Sequence, residues 1–143
     1  MENLDLLHLR HGIGLLAAVV RGALIGLERQ LRNHPAGLHT NALVALGAAA
    51  YVIAGVVLSN DNTAAARIAG QVVTGVGFLC AGLIWHQGGT VRGINTAVTA
   101  WCSCAVGVLC GFGLFLWAVL VTALVLLVNV ILHYSDPHVG EPR

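Results

Sequence analysis

Charge is scarce in this 143-residue chain: Asp, Glu and Arg together supply 9% of its residues. Ordinary soluble domains carry about 25% charged residues. With a mean hydropathy of +0.84, the chain lacks the polar skin that a water-soluble enzyme of this size needs. Lysine is absent, the seven basic residues are all Arg, and the net charge is +1. No basic stripe exists to neutralise phosphates, which argues against a nucleic-acid partner. Carboxylates are nearly missing as well. Away from the termini only Glu28 and Asp61 remain, too few for a magnesium or calcium cage within one subunit. The four cysteines, Cys80, Cys102, Cys104 and Cys110, lie in apolar runs and do not form a disulfide framework. Cys102 and Cys104 diverge by about 200° on a helix, and no histidine stands at ligand spacing, so no zinc site is expected. No nucleotide loop and no Ser-His-Asp arrangement is readable, and no metal or cofactor is expected. Disorder is excluded by the apolar surface available for burial.

What is present is long apolar runs. A bilayer core of roughly 30 Å takes about 20 apolar residues as a helix. Five stretches approach that length: about 9–27, 38–58, 68–85, 94–112 and 114–132. The segments of roughly ten alternating residues that a barrel requires are absent. The expectation is an all-α polytopic membrane protein with five transmembrane helices, forming one domain over 1–143 without a soluble part. The first stretch contains Arg10, His11 and Arg21 and runs into Gly-Leu-Glu without a small-residue cleavage site. It is expected to be a retained helix, not a signal peptide. Pro35-Ala36-Gly37, Asn60-Asp61-Asn62-Thr63, Gly88-Gly89 and Gly111-Phe112-Gly113 mark the breaks. Five spans would place Arg29, Arg32, Arg92 and Arg143 on one side of the membrane, against Arg10 and Arg67 on the other. The excess predicts a periplasmic N-terminus and a cytoplasmic C-terminus.

Arg21 interrupts an apolar run where a charge costs at least about 2.5–3.5 kcal/mol. Glu28, seven residues on, shares its helix face but lies about 10.5 Å further along the axis, too far for a direct pair. Arg21 is either part of an intramembrane polar site or a snorkelling, structurally paired arginine. Ala18, Gly22 and Gly26 form a small-residue stripe on the first helix, and Gly70 and Gly77 belong to a second on the third. Such stripes mark close helix contacts in lipid, with a pore or ligand lining as the alternative. Gln71 and Thr74 share one face of the third helix. On the fourth, Thr96, Thr99, Ser103, Gly107 and Cys110 fall on one side, where hydroxyls can return hydrogen bonds to their own helix. With Arg21, Glu28 and Asn95, these polar residues define the candidate intramembrane site. Arg29, Arg32 and Arg92 form a candidate cytoplasmic anion-facing cluster, with lipid headgroups as the default partner and a phosphate or protein carboxylate as the sharper one.

Four blocks in order carry a family resemblance. They are Gly22-Ala-Leu-Ile-Gly-Leu-Glu-Arg-Gln, Pro35-Ala-Gly-Leu-His-Thr-Asn-Ala-Leu-Val-Ala-Leu-Gly, Arg67-Ile-Ala-Gly-Gln-Val-Val-Thr-Gly-Val-Gly-Phe-Leu-Cys-Ala-Gly-Leu-Ile and Val91-Arg-Gly-Ile-Asn-Thr-Ala-Val-Thr-Ala-Trp-Cys-Ser. Together with Gly107-Val-Leu-Cys-Gly they resemble the MgtC/SapB family over about residues 12–132. The resemblance implies five helices in the bacterial inner membrane, with a cytoplasmic C-terminus. It also implies a link to growth at low magnesium, survival inside macrophages and virulence, acting by restraint of the F-type ATP synthase rather than by magnesium import. Glu28, Arg29, Asn41, Arg67, Gln71, Arg92, Asn95 and Thr96 match the family's polar motif positions, and Cys102 matches a cysteine of its namesake. Two departures stand out. Asp61-Asn-Thr-Ala-Ala-Ala replaces a turn of Asp-Pro type before Arg67, and Cys80 stands where the family has glycine. The ACT-like domain that follows the fifth helix in related members is expected to be missing here.

Three functions follow as expectations. The first is a non-enzymatic regulator that binds another integral membrane protein, the ATP synthase by resemblance, through small-residue helix faces. The second is a small channel or transporter, for magnesium or an anion, in which a homodimer brings Arg21 and the fourth-helix hydroxyls together. The third is a structural scaffold.

Overall fold

In the computed structural model, the backbone is described for residues 2–59, 62–87 and 89–135, and side chains for 5–59, 63–87 and 89–131. Asn60, Asp61, Gly88 and Arg143, all named above, lie outside the described residues. The chain forms five helices: α1 (Glu2–Leu31), α2 (Leu38–Leu58), α3 (Asn62–Ala81), α4 (Ile94–Gly111) and α5 (Phe115–Ser135). Four of them are long and apolar enough to cross a membrane; the apolar part of α5, Phe115–Ile131, is shorter.

Small residues decide the packing. α2 lies between α1 and α4, with α3 against α2 and α4 and α5 against α4 and α1. A Cβ on Gly22 would come within 2.5 Å of the Asn41 carbonyl and 2.8 Å of Ala45 Cβ, and one on Gly26 within 2.6 Å of Leu38 Cα. Across the other side of α2, a Cβ on Gly107 would collide with the Ala45 carbonyl, and one on Gly111 would lie 2.8 Å from Val52 Cβ. Ala18, Ile25, Ala45, Ala49, Val106, Cys110 and Ala118 fill the space between. Where lipid is as apolar as the side chains, such close approach is the source of helix association.

The third helix differs from the expected 68–85. It begins six residues earlier, because Ala64-Ala65-Ala66 are strong helix formers. It stops at Ala81, where three successive turn bonds follow: Gly82 N–H to Leu79, Leu83 N–H to Cys80 and Ile84 N–H to Ala81. The expected turn at 86–93 is a small antiparallel hairpin, β1 (Trp85–Gln87) and β2 (Thr90–Arg92), pairing Trp85 with Arg92, His86 with Val91 and Gln87 with Thr90. Gly93 closes it at φ 88°, and a Cβ there would run into the Leu83 carbonyl.

Four of the arginines separate to two ends of the bundle. Arg29, Arg32 and Arg92 sit where α1 ends and α4 begins. At the other end Arg10 donates from Nη2 to the Phe112 carbonyl at 3.2 Å, capping the α4–α5 turn, a favourable place for a cation.

Candidate polar layer at one end of the bundle

The last turns of α1 carry Glu28, Arg29 and Arg32, which the helical period sends in two directions. Glu28 and Arg32, four apart, form an ion pair of 2.6 Å on one side. Across from it, Asn129 of α5 donates from Nδ2 to Glu28 Oε2 at 3.3 Å. Arg29 points to the other side and is 5% exposed. Its Nη2 donates to Thr96 Oγ1 in the first turn of α4 at 3.2 Å, while its buried Nε has no partner among the described residues.

Deeper in the bundle lies Asn41, fully buried. Its Nδ2 donates to the Ala36 carbonyl at 2.6 Å and the Gly37 carbonyl at 3.0 Å. Ala36 holds φ 55°, a left-handed conformation costly for a residue with a Cβ, so the amide pins the strained α1–α2 link. Asn41 Oδ1 accepts from Ser103 Oγ at 2.8 Å, which ties that link to α4.

The eight residues expected to share an intramembrane site do not converge. Arg21 is half-buried, donates to its own Ala17 carbonyl at 3.1 Å, lies beside the Cys110 thiol and borders an apolar α1–α5 groove with Val119, Thr122 and Ala123. Glu28 stands a full layer away with Arg32 and Asn129. Gln71 and Thr74 are exposed on α3, and Thr74 bonds the Gly70 carbonyl. Asn95 is exposed, whereas Thr96, Thr99 and Ser103 are buried; Thr99 returns its hydroxyl to the Asn95 carbonyl. Of the expected packing positions, Ala18, Gly22 and Gly26 are interfacial. Gly70 and Gly77 are not: a Cβ on either meets nothing within 4 Å. In the anion cluster, Arg32 is occupied by Glu28, Arg29 by Thr96, and Arg92 ends β2.

Two residues escaped the reading from residue types. Asn129 was visible as the one amide in the most uniformly apolar helix, where lone polar residues warrant a named partner. Asn41 entered only through the family motif. Cys80 supports the α3–α4 contact: its thiol bonds the Ala97 carbonyl at 3.2 Å and packs with Ala97 and Ala100. All four cysteines are free thiols. Among the described residues, no three His, Cys, Asp or Glu side chains stand together as a metal site.

Residues 15–136 match the model of the MgtC family. Over 129 residues the chain is 48% identical to Protein MgtC of Salmonella typhimurium, covering 90% of this chain and 55% of that protein. Over 118 residues it is 51% identical to Protein MgtC of Brucella abortus, covering 82% of this chain and 49% of that protein. The chain spans about half the length of these relatives. No solved structure matches it. The family match over most of the chain, with 48% and 51% identity to these two relatives, makes this chain a member of the MgtC family.

Proposed function

We propose that this MgtC-like membrane protein is a regulator and not an enzyme. It sits in the bacterial inner membrane with five spans, including α5, a periplasmic N-terminus and a cytoplasmic C-terminus. Its role is adaptation to low magnesium and virulence, exerted by restraining another membrane complex, the F-type ATP synthase. No cofactor is required, and membrane lipid surrounds the helices.

One observation supports a binding role over a conducting one. The α4 hydroxyl stripe is closed within the subunit: Ser103 bonds Asn41, Thr99 bonds its own helix, and Gly107 packs on Ala45. A homodimer would therefore not bring Thr99 and Ser103 to a shared wet axis. The face left for a partner is not Gly22 and Gly26, which α2 covers, but α3, where Gly70, Gly75 and Gly77 have open space beside them. The second reading is an ion channel or transporter acting as a homo-oligomer, and it keeps one observation in its favour: the half-buried Arg21 beside an apolar groove, a residue suited to anions or a proton barrier.

Inverted bacterial membrane vesicles with and without the protein separate the two. ATP hydrolysis and the proton gradient it builds are read in one sample. A joint fall supports restraint of the synthase. A collapsed gradient with hydrolysis held or raised identifies a leak and overturns the regulator.

A further inference from the structure

The electrostatics around Arg29 do not close. Arg29 is 5% exposed, and Glu28, the neighbouring carboxylate whose charge acts on it, is shared: Arg32 engages it at 2.6 Å and Asn129 at 3.3 Å. Removing a charge from water with only a shared counter-charge is costly. The neighbour it does have raises the cost. Thr96 is the third residue of α4, so the guanidinium stands against the positive end of an 18-residue helix, where a cation is disfavoured.

That helix end is itself open. Its cap is Gly93, at φ 88°, with no side-chain cap bond and no acidic residue in the first turn. Ala97 N–H already bonds the Gly93 carbonyl, which leaves the N–H groups of Ile94, Asn95 and Thr96 without intrahelical acceptors. Ile94 and Asn95 are exposed. Arg92 comes directly before the cap and adds a further positive charge. An anion at the α4 N-terminus would answer both deficits, offering acceptors to the free N–H groups and to Arg29 Nε.

We propose that Arg29 and the first turn of α4 form a binding site for a phosphate group, with Arg32 excluded from it by Glu28. This rests on that end of the bundle lying at the membrane surface, and not on the ATP synthase reading. A phospholipid headgroup and a free phosphate share this chemistry, and two arms distinguish them.

The full chain is purified into nanodiscs of phosphatidylcholine alone or of phosphatidylcholine with phosphatidylglycerol, and thermal unfolding is followed while inorganic phosphate or pyrophosphate is titrated. A rise of Tm with added phosphate in the neutral discs identifies a free phosphate. A higher Tm in the phosphatidylglycerol discs, with no response to added phosphate, identifies a headgroup. In either arm Arg29→Gln loses the response, and Arg29→Lys, which keeps the charge but not the forked donors, weakens it about tenfold or more, the value of one charge-assisted hydrogen bond. Arg67→Gln, on α3, keeps it. If Arg29→Gln does not fold, Arg29→Lys decides alone. A wild-type Tm indifferent to both arms, or Arg29 variants that respond like wild type, overturns the site. The assay contains no ATP synthase, so its failure leaves the regulator untouched, and failure of the vesicle assay leaves this site untouched.

Discussion

Ser103 donates its hydroxyl hydrogen to Asn41 Oδ1 at 2.8 Å, joining α4 to α2 through two buried side chains 62 positions apart. Interhelical hydrogen bonds of this kind in membrane proteins average about 0.6 kcal/mol and reach about 1.7 kcal/mol. Ser103→Ala is expected to lower stability within that range. Asn41→Ala is expected to cost more, about 2–3 kcal/mol, because it also strips the Ala36 and Gly37 carbonyls of their donor in a buried place. Reversible unfolding in detergent or bicelles checks the order; equal losses would mean that the α1–α2 link does not depend on the amide.

Glycines divide into two groups with opposite expectations. Gly107→Ala places a methyl into the Ala45 backbone and is expected to destabilise by about 1–3 kcal/mol, the usual range for overpacking. Gly70→Ala adds a methyl that touches nothing within the chain and removes a flexible residue from a helix interior. It is expected to stabilise the isolated protein by about 0.5–1 kcal/mol. If α3 is the partner face, the same Gly70→Ala weakens restraint of ATP hydrolysis in vesicles while Tm holds or rises.

The two stripes show what a sequence does and does not expose. Gly22 and Gly26, four apart beside Ala18, announce a smooth helix face, and α2 does fill it. Gly70 and Gly77 announce the same thing, yet no helix of this chain lies there. Spacing tells which face is smooth, not which neighbour, if any, occupies it. The polar residues follow the same logic. Ser103 is legible as part of a hydroxyl stripe, but its acceptor comes from a helix brought near only by packing at Gly107 and Ala45. Residues that pair within one helix, such as Glu28 with Arg32, were within reach of the helical period. Contacts across the bundle, such as Glu28 with Asn129, were not. The hairpin was hidden for another reason: Ile84 and Trp85 extend the apolar run of α3, so hydropathy alone reads them as helix, while the break is made by Gly82 and by the Gly93 cap.

Asn129 and Glu28 provide a coupling test. Asn129→Leu removes one acceptor contact of Glu28 but leaves Arg32, so it is expected to cost no more than about 1 kcal/mol. Combined with Glu28→Gln, the two losses are expected to be non-additive by about 0.5 kcal/mol or more, as for residues in one network. Strict additivity in the double-mutant cycle would show that α5 is held at this end by packing alone.

Arg21 separates structure from function. Its guanidinium donates to its own helix at Ala17 and meets α4 only at the Cys110 thiol, a weak acceptor, so little interhelical stabilisation is lost when the guanidinium is removed. Arg21→Leu also eliminates a charge that costs at least about 2.5–3.5 kcal/mol in the middle of a span. The variant is therefore expected to insert normally and unfold no more easily than wild type. If Arg21 serves function, the vesicle phenotype, restraint or leak, disappears in a protein that is as well folded as before. Unchanged activity together with unchanged insertion would reduce Arg21 to a snorkelling residue that the α1–α5 groove tolerates, and would remove the main support for the transporter reading.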